Sequence, residues 1–104
     1  MNSSSYYAAK VQEFKNCKAQ LTSAIGSVLS CGESAIKCNN YTKDVILDNE
    51  VFDRGSLTKF SASLVGVVAD LNTIRAECDI KITKYQFLYE IALRLERMKE
   101  QFDL

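Results

Sequence analysis

"LTKFSASLVGVVADLNTIRAECDIKITKYQFLYEIALRLERMKEQF", residues 57–102, decides the fold. Alternate steps of three and four residues from its first leucine reach Leu57, Phe60, Leu64, Val67, Leu71, Ile74, Cys78, Lys81, Tyr85, Leu88, Ala92, Leu95, Lys99 and Phe102. All but the two lysines are apolar or aromatic. A seven-residue repeat sustained over several heptads predicts a helix paired in coiled-coil fashion. The same steps from Tyr7 reach Lys10, Phe14, Cys17, Leu21, Ala24, Val28, Cys31, Ala35 and Cys38. Only Lys10 interrupts that seam, and a lysine stem can lie along apolar surface. The chain has no proline, which an interior helical position would not tolerate. Glu90 and Arg94 supply a favourable i,i+4 pair on the outer face.

Between the two seams lies "DVILDNEVFDRGSL", residues 44–57. Val45-Ile46-Leu47 and Glu50-Val51-Phe52 flank Asp48-Asn49, and both central residues tolerate the positive φ of a two-residue hairpin turn. A short β-hairpin is expected here, its apolar residues plugging the end of the helices or serving as a recognition knob. Ser4 or Ser5 is the expected cap of the first helix, and Asn39 or Asn40 its stop. Ser56 is the expected cap of the second helix, after the turn residue Gly55 and with Asp53 as the competing cap. The reading is one all-α domain over residues 1–104, an antiparallel two-helix hairpin. Its helices span about 5–40 and 56–102, joined by a turn at about 41–55, with lengths of roughly 50 and 70 Å. The last residues, from about Arg94, should project beyond the partner helix.

Composition narrows the function. Thirteen basic and thirteen acidic residues give zero formal net charge, unlike the basic excess of a nucleic-acid binder. The N-terminus "MNSSSYYAAK" lacks the basic and apolar regions of a secretory signal. "LTSAIGSVLSCG" is too short and too rich in serine and glycine to span a bilayer, so neither membrane insertion nor a membrane partner is expected, and the chain is expected in the cytoplasm. With no histidine and no Cys-x-x-Cys spacing, no metal site is expected. No cofactor or catalytic residue is expected either: Asp48, Glu50 and Asp53 read as helix-capping acids rather than general acids or bases. In an antiparallel hairpin whose partners sum to roughly 98, Cys17 and Cys78 lie within about one turn of each other. All four cysteines, Cys17, Cys31, Cys38 and Cys78, fall on the seams and read as reduced, buried small hydrophobes. Tyr6, Tyr7, Tyr85 and Tyr89 are expected to form an aromatic layer at one end.

A helix, an aromatic residue shortly before a glycine, and a second helix within about a hundred residues resemble the WXG family of type VII secretion substrates. The chain looks still more like the small α-helical, WXG-like proteins encoded beside LXG toxins in Gram-positive bacteria. The residues that carry this resemblance are Phe52-Asp53-Arg54-Gly55, after an apolar hairpin, and Cys78-Asp79-Ile80-Lys81-Ile82. The chain has no tryptophan, and Phe52 stands one residue farther from its glycine than in Trp-x-Gly. A Tyr-x-x-x-Asp/Glu export signal is also missing: Tyr85 leads to Tyr89, Tyr89 to Leu93, and Phe87 to Ile91. The resemblance implies a non-enzymatic targeting factor or chaperone. It would bind the helical N-terminal domain of an LXG toxin, promote its export, and leave the cell through the type VII pathway with that partner. The alternatives are a self-associating WXG-like homodimer and a cytosolic coiled-coil adaptor.

Apolar residues off the seams call for such a partner whatever its identity. They are Val11, Ile25, Leu29 and Ile36 on the first helix, and Val65, Val68, Ile82, Ile91 and Leu93 on the second. A second stripe of this kind is buried against further helices in a four-helix bundle. Ile25, Leu29, Val65, Val68 and Ile82 are the expected contact face. Leu95, Met98 and Phe102 are the tail residues expected to meet an export apparatus, and Phe52, Asp53 and Gly55 make the turn motif.

Overall fold

The computed structural model describes residues 1–44 and 54–102. It is an all-α helical hairpin of two antiparallel helices, α1 (Ser4–Asp44, 41 residues) and α2 (Arg54–Phe102, 49 residues). No strand occurs among the described residues. The expected β-hairpin, with Phe52 and Asp53, lies outside them.

Both helices exceed their expected bounds. α1 continues through Asn39 and Asn40 to Asp44. Asparagine costs only about half a kcal/mol relative to alanine inside a helix, and no glycine or proline follows to enforce a stop. α2 begins at Arg54, which sets Gly55 and Ser56 inside its first turn rather than before it. The first four N–H groups of a helix need no intrahelical acceptor, so an early start forfeits little. At the other end, the cap of α1 is Ser3, one residue ahead of the expected Ser4. The Tyr6 N–H donates to Ser3 Oγ (3.2 Å), and the Tyr7 N–H to the Ser3 carbonyl (3.3 Å).

Contacts along the pair cluster into two units, Met1–Leu21 with Ile74–Leu104, and Thr22–Thr73. In the first unit the helices meet through Ser4, Tyr7, Val11, Phe14 and Lys18 on α1, and Cys78, Ile82, Tyr85, Tyr89, Ala92 and Glu96 on α2. Ser4 is held from the opposite helix: its N–H donates to Glu96 Oε1 (2.9 Å) and its hydroxyl to Glu96 Oε2 (2.6 Å). α1 has no acidic residue in its first turn, so Glu96 supplies the negative charge its N-terminal dipole favours. The two Ser4 hydrogen bonds hold the Glu96 carboxyl below the usual glutamate range. Tyr7 packs on Tyr6 and Tyr85, and Phe14 stacks on Tyr85 at 5.8 Å and 12°. The aromatic layer is therefore built around Tyr85, with Phe14 as a member not expected from sequence. Lys18 and Asp79 bridge the helices at 2.6 Å on a half-exposed edge, where an ion pair contributes little.

In the second unit the seam is Ile25, Val28, Gly32 and Ala35 against Leu57, Ser61, Leu64, Val68 and Leu71. Ile25 and Ala35 are buried. The helices approach closely at Gly32, where an added Cβ would stand 3.4 Å from Leu64 Cδ1.

The sevenfold columns Tyr7–Phe14–Leu21–Val28–Ala35 and Leu57–Leu64–Leu71–Cys78–Tyr85–Ala92 are the ones the sequence selects. The alternate column sits one residue later than expected in both helices. Lys18 and Gly32 replace the exposed Cys17 and Cys31, while Val11 and Ile25 join the half-buried Lys10 and Ala24. Ser61, Val68 and Glu96 replace the exposed Phe60, Val67 and Leu95, while Ile82 and Tyr89 join the half-buried Lys81 and Leu88. The expectation of four buried cysteines is corrected accordingly. Cys17, Cys31 and Cys38 are exposed, and Cys78 alone is buried. Burial raises the Cys78 thiol above its ordinary range, and the neighbouring Cys17 thiol adds to the effect.

Candidate partner interface

In an antiparallel helix pair, the residue following each seam position by one step flanks one side, and the residue preceding it flanks the other. In the Thr22–Thr73 unit, one side carries Leu29, Ile36 and Val65, which are 53%, 57% and 71% exposed. With Val28, Gly32, Glu33, Ser61, Leu64 and Val68 they line a groove of about 400 Å³ whose walls are mostly aliphatic. Glu33 is the one charged residue lining it. Among the described residues none forms an ion pair with Glu33. Ile36 also borders a smaller hollow with Leu57, Thr58 and Ser61. The other side presents Phe60 and Val67, both exposed, beside Cys31 and Cys38.

The expected contact residues divide on this geometry. Leu29 and Val65 stand exposed in the groove wall. Ile25 is buried in the seam of the unit, and Val68 is half-buried there with its edge on the groove. Ile25 thus belongs to the hairpin core, and Val68 takes part in both the seam and the groove. Ile82 is half-buried in the seam of the Met1–Leu21 and Ile74–Leu104 unit, so it too belongs to hairpin packing. Ile36 joins Leu29 one heptad along and completes the wall. Sequence reasoning missed Ile80 and Phe87, each 63% exposed on the outer face of α2. Their signal was present, because a spacing of seven places them on one helical stripe.

Of the turn motif, Phe52 and Asp53 lie outside the described residues, and Gly55 is exposed in the first turn of α2. The tail residues Leu95, Met98 and Phe102 are all exposed. The expected projection from Arg94 is corrected: α2 remains paired as far as Glu96 through Ser4. Around it, Leu95, Met98 and Lys99 border a groove with Met1, Asn2 and Ser3. The N-terminal residues preceding α1 reach alongside the last turns of α2, which shortens any free tail.

No described helix is long and apolar enough to cross a membrane, and no described group of His, Cys, Asp and Glu residues is arranged to hold a metal ion. Comparison with known proteins finds no matching family model, no matching curated sequence and no matching solved structure.

Proposed function

We propose that this chain is a non-enzymatic targeting factor that binds the helical N-terminal domain of a type VII-secreted LXG toxin and promotes its export. The observation that carries the reading is the unfinished core. Among the described residues no side chain is less than 2% exposed, while Leu29, Ile36, Val65, Ile80 and Phe87 each leave more than half their surface in water. The chain exposes 7907 Å². A compact monomer of its 11.7 kDa mass would expose roughly 5,900 Å². Two long helices without a further layer expose more than a compact globule of equal mass. Apolar surface of that kind is buried most readily by other helices, as in a four-helix bundle. The Phe52-Asp53-Arg54-Gly55 and Cys78-Asp79-Ile80-Lys81-Ile82 resemblance supplies the kind of partner.

The test is co-expression with an LXG toxin from the same genome, followed by co-purification, and toxin export measured in a strain lacking this gene. A stable complex and lost export are the expected results. The second reading is a homodimer, favoured by the zero net charge, which leaves no overall repulsion between copies. Normal export in the deletion strain, together with a homodimer that ignores the toxin, would establish that reading instead.

A further inference from the structure

We propose that Cys17 and Cys78 are a redox-active pair, whose thiols exchange with a low-molecular-weight disulfide to form a cross-link that locks α1 to α2. The inference is independent of the targeting-factor reading above. The two thiols are hydrogen-bonded neighbours across the helix pair, both within the Met1–Leu21 and Ile74–Leu104 unit. Their neighbours hold the register: Lys18 and Asp79, the next residue on each helix, bridge at 2.6 Å, and Phe14 stacks on Tyr85 at 5.8 Å. Packed helix axes stand about 8–10 Å apart, and each Cα lies about 2.3 Å off its axis. Facing Cα atoms therefore come within about 3.5–5.5 Å of each other, and a disulfide spans about 4.4–6.8 Å. That leaves room for Cys17, which is turned partly toward the edge of the seam.

Exposure divides the roles. Cys17 is exposed and meets the reagent, whereas Cys78 is buried beside it. Burial foremost, then the Cys17 thiol and the Asp79 and Glu77 carboxylates, keep the proton on Cys78. Cys17, deprotonated by solvent, attacks one sulfur of the disulfide RSSR. A mixed disulfide forms on Cys17, and the departing RS⁻ takes a proton from solvent. Cys78 then attacks Cys17 Sγ and gives up its proton to the second departing RS⁻. Two protein thiols and RSSR become one protein disulfide and two RSH, with two electrons passing from the protein to the reagent. The bond closes the chain between residues 17 and 78, a long loop of the kind whose closure most restricts the unfolded chain. The lock stays open in a reducing cytosol and closes where disulfides persist.

The probe is oxidised glutathione, added to the full chain carrying Cys31→Ser and Cys38→Ser, two exposed positions in the other unit. The expected product is a monomer with no free thiol, no bound glutathione and an intact mass lower by two hydrogens. Its helical circular dichroism should be unchanged, and its melting midpoint should rise on the order of 10 °C, returning to the starting value with dithiothreitol. Adding Cys17→Ser, at an exposed position, should keep the fold, abolish the bridge and leave Cys78 slow to react with a maleimide. Adding Cys78→Ala instead should stop the reaction at a glutathione adduct on Cys17. A stable glutathione adduct in the chain that retains both Cys17 and Cys78, or a dimer joined through Cys17, would overturn the pairing. A Cys17–Cys78 bridge that forms only in denaturant, or that lowers helicity or the melting midpoint, would overturn the lock.

Discussion

Glu96 and Ser4 show how much one residue pair organises. Two donors from the first turn of α1 converge on one carboxylate of α2, closing the hairpin at its open end. Because the folded carboxyl titrates below its ordinary value of 4.5, its contribution is present above that value and is lost as pH falls through the lower folded value. Glu96→Gln should lower the melting temperature at neutral pH and flatten the decline in stability between about pH 5 and pH 3. Melts across that range check both effects. A wild type whose acid decline matched the variant's would show that the contact contributes nothing to the linkage. At the cap, Ser3→Ala should cost about 0.5–2 kcal/mol in denaturant unfolding, as lost N-caps do. Position 68 behaves differently from position 65. Val68 is half-buried in the seam, so Val68→Asp should destabilise the hairpin by about 2–4 kcal/mol as well as weaken any complex. Exposed Val65→Asp should stay within about 0.5 kcal/mol of wild type in the free chain.

At the scale of the helices, the glycines separate packing from propensity. Gly26 and Gly66 have nothing within 4 Å of an added Cβ. Gly26→Ala and Gly66→Ala should each stabilise the free chain by about 0.5–1 kcal/mol, the entropic cost of glycine in a helix interior. Gly32→Ala meets Leu64 Cδ1 at 3.4 Å, the near edge of ordinary contact. Its gain should be smaller than at Gly26, and a loss would mean that the two helices cannot separate by even a few tenths of an ångström. Chemical denaturation of the three variants ranks them. The aromatic stack gives an element-level check in the Met1–Leu21 and Ile74–Leu104 unit. Phe14→Ala removes a half-buried ring stacked on Tyr85 and should cost about 1–3 kcal/mol, below the value for a fully buried phenylalanine.

For the whole molecule, the proposed function makes stability depend on the partner. A protein that binds its partner only when folded is stabilised by mass action, by about 2.7 kcal/mol when free partner stands at a hundred times Kd. The melting temperature of the chain should rise with added toxin domain and scarcely change with an unrelated helical protein. Scanning calorimetry at several partner concentrations checks this, and a midpoint indifferent to the toxin domain would remove the main support for the proposed function. The far-ultraviolet spectrum of the free chain should already be strongly helical, since the two helices take 41 and 49 of its 104 residues.

By itself the sequence determined that this chain forms two long helices and folds back on itself. The columns through Tyr7 to Ala35 and Leu57 to Ala92 repeat every seven residues, and no proline breaks them. Spacing also brought Leu29 and Val65 to notice as candidates for a contact face. Only the tertiary structure decided which neighbouring column shares the seam, and so which apolar residues stay in water. The column through Phe60, Val67, Ile74 and Leu95 is more apolar than the column through Ser61, Val68, Arg75 and Glu96. Hydrophobicity alone therefore selects the wrong neighbour. Helix pairs settle at a separation set by the side chains between them. Ser4, Gly32, Ala35, Ser61 and Ala92 let the helices close, where Phe60, Ile74 and Leu95 would hold them apart. With one column kept and its neighbour displaced by one residue, about 100° around the helix, the seam turns toward Ile25, Val68 and Ile82 and leaves Cys17, Cys31 and Cys38 exposed.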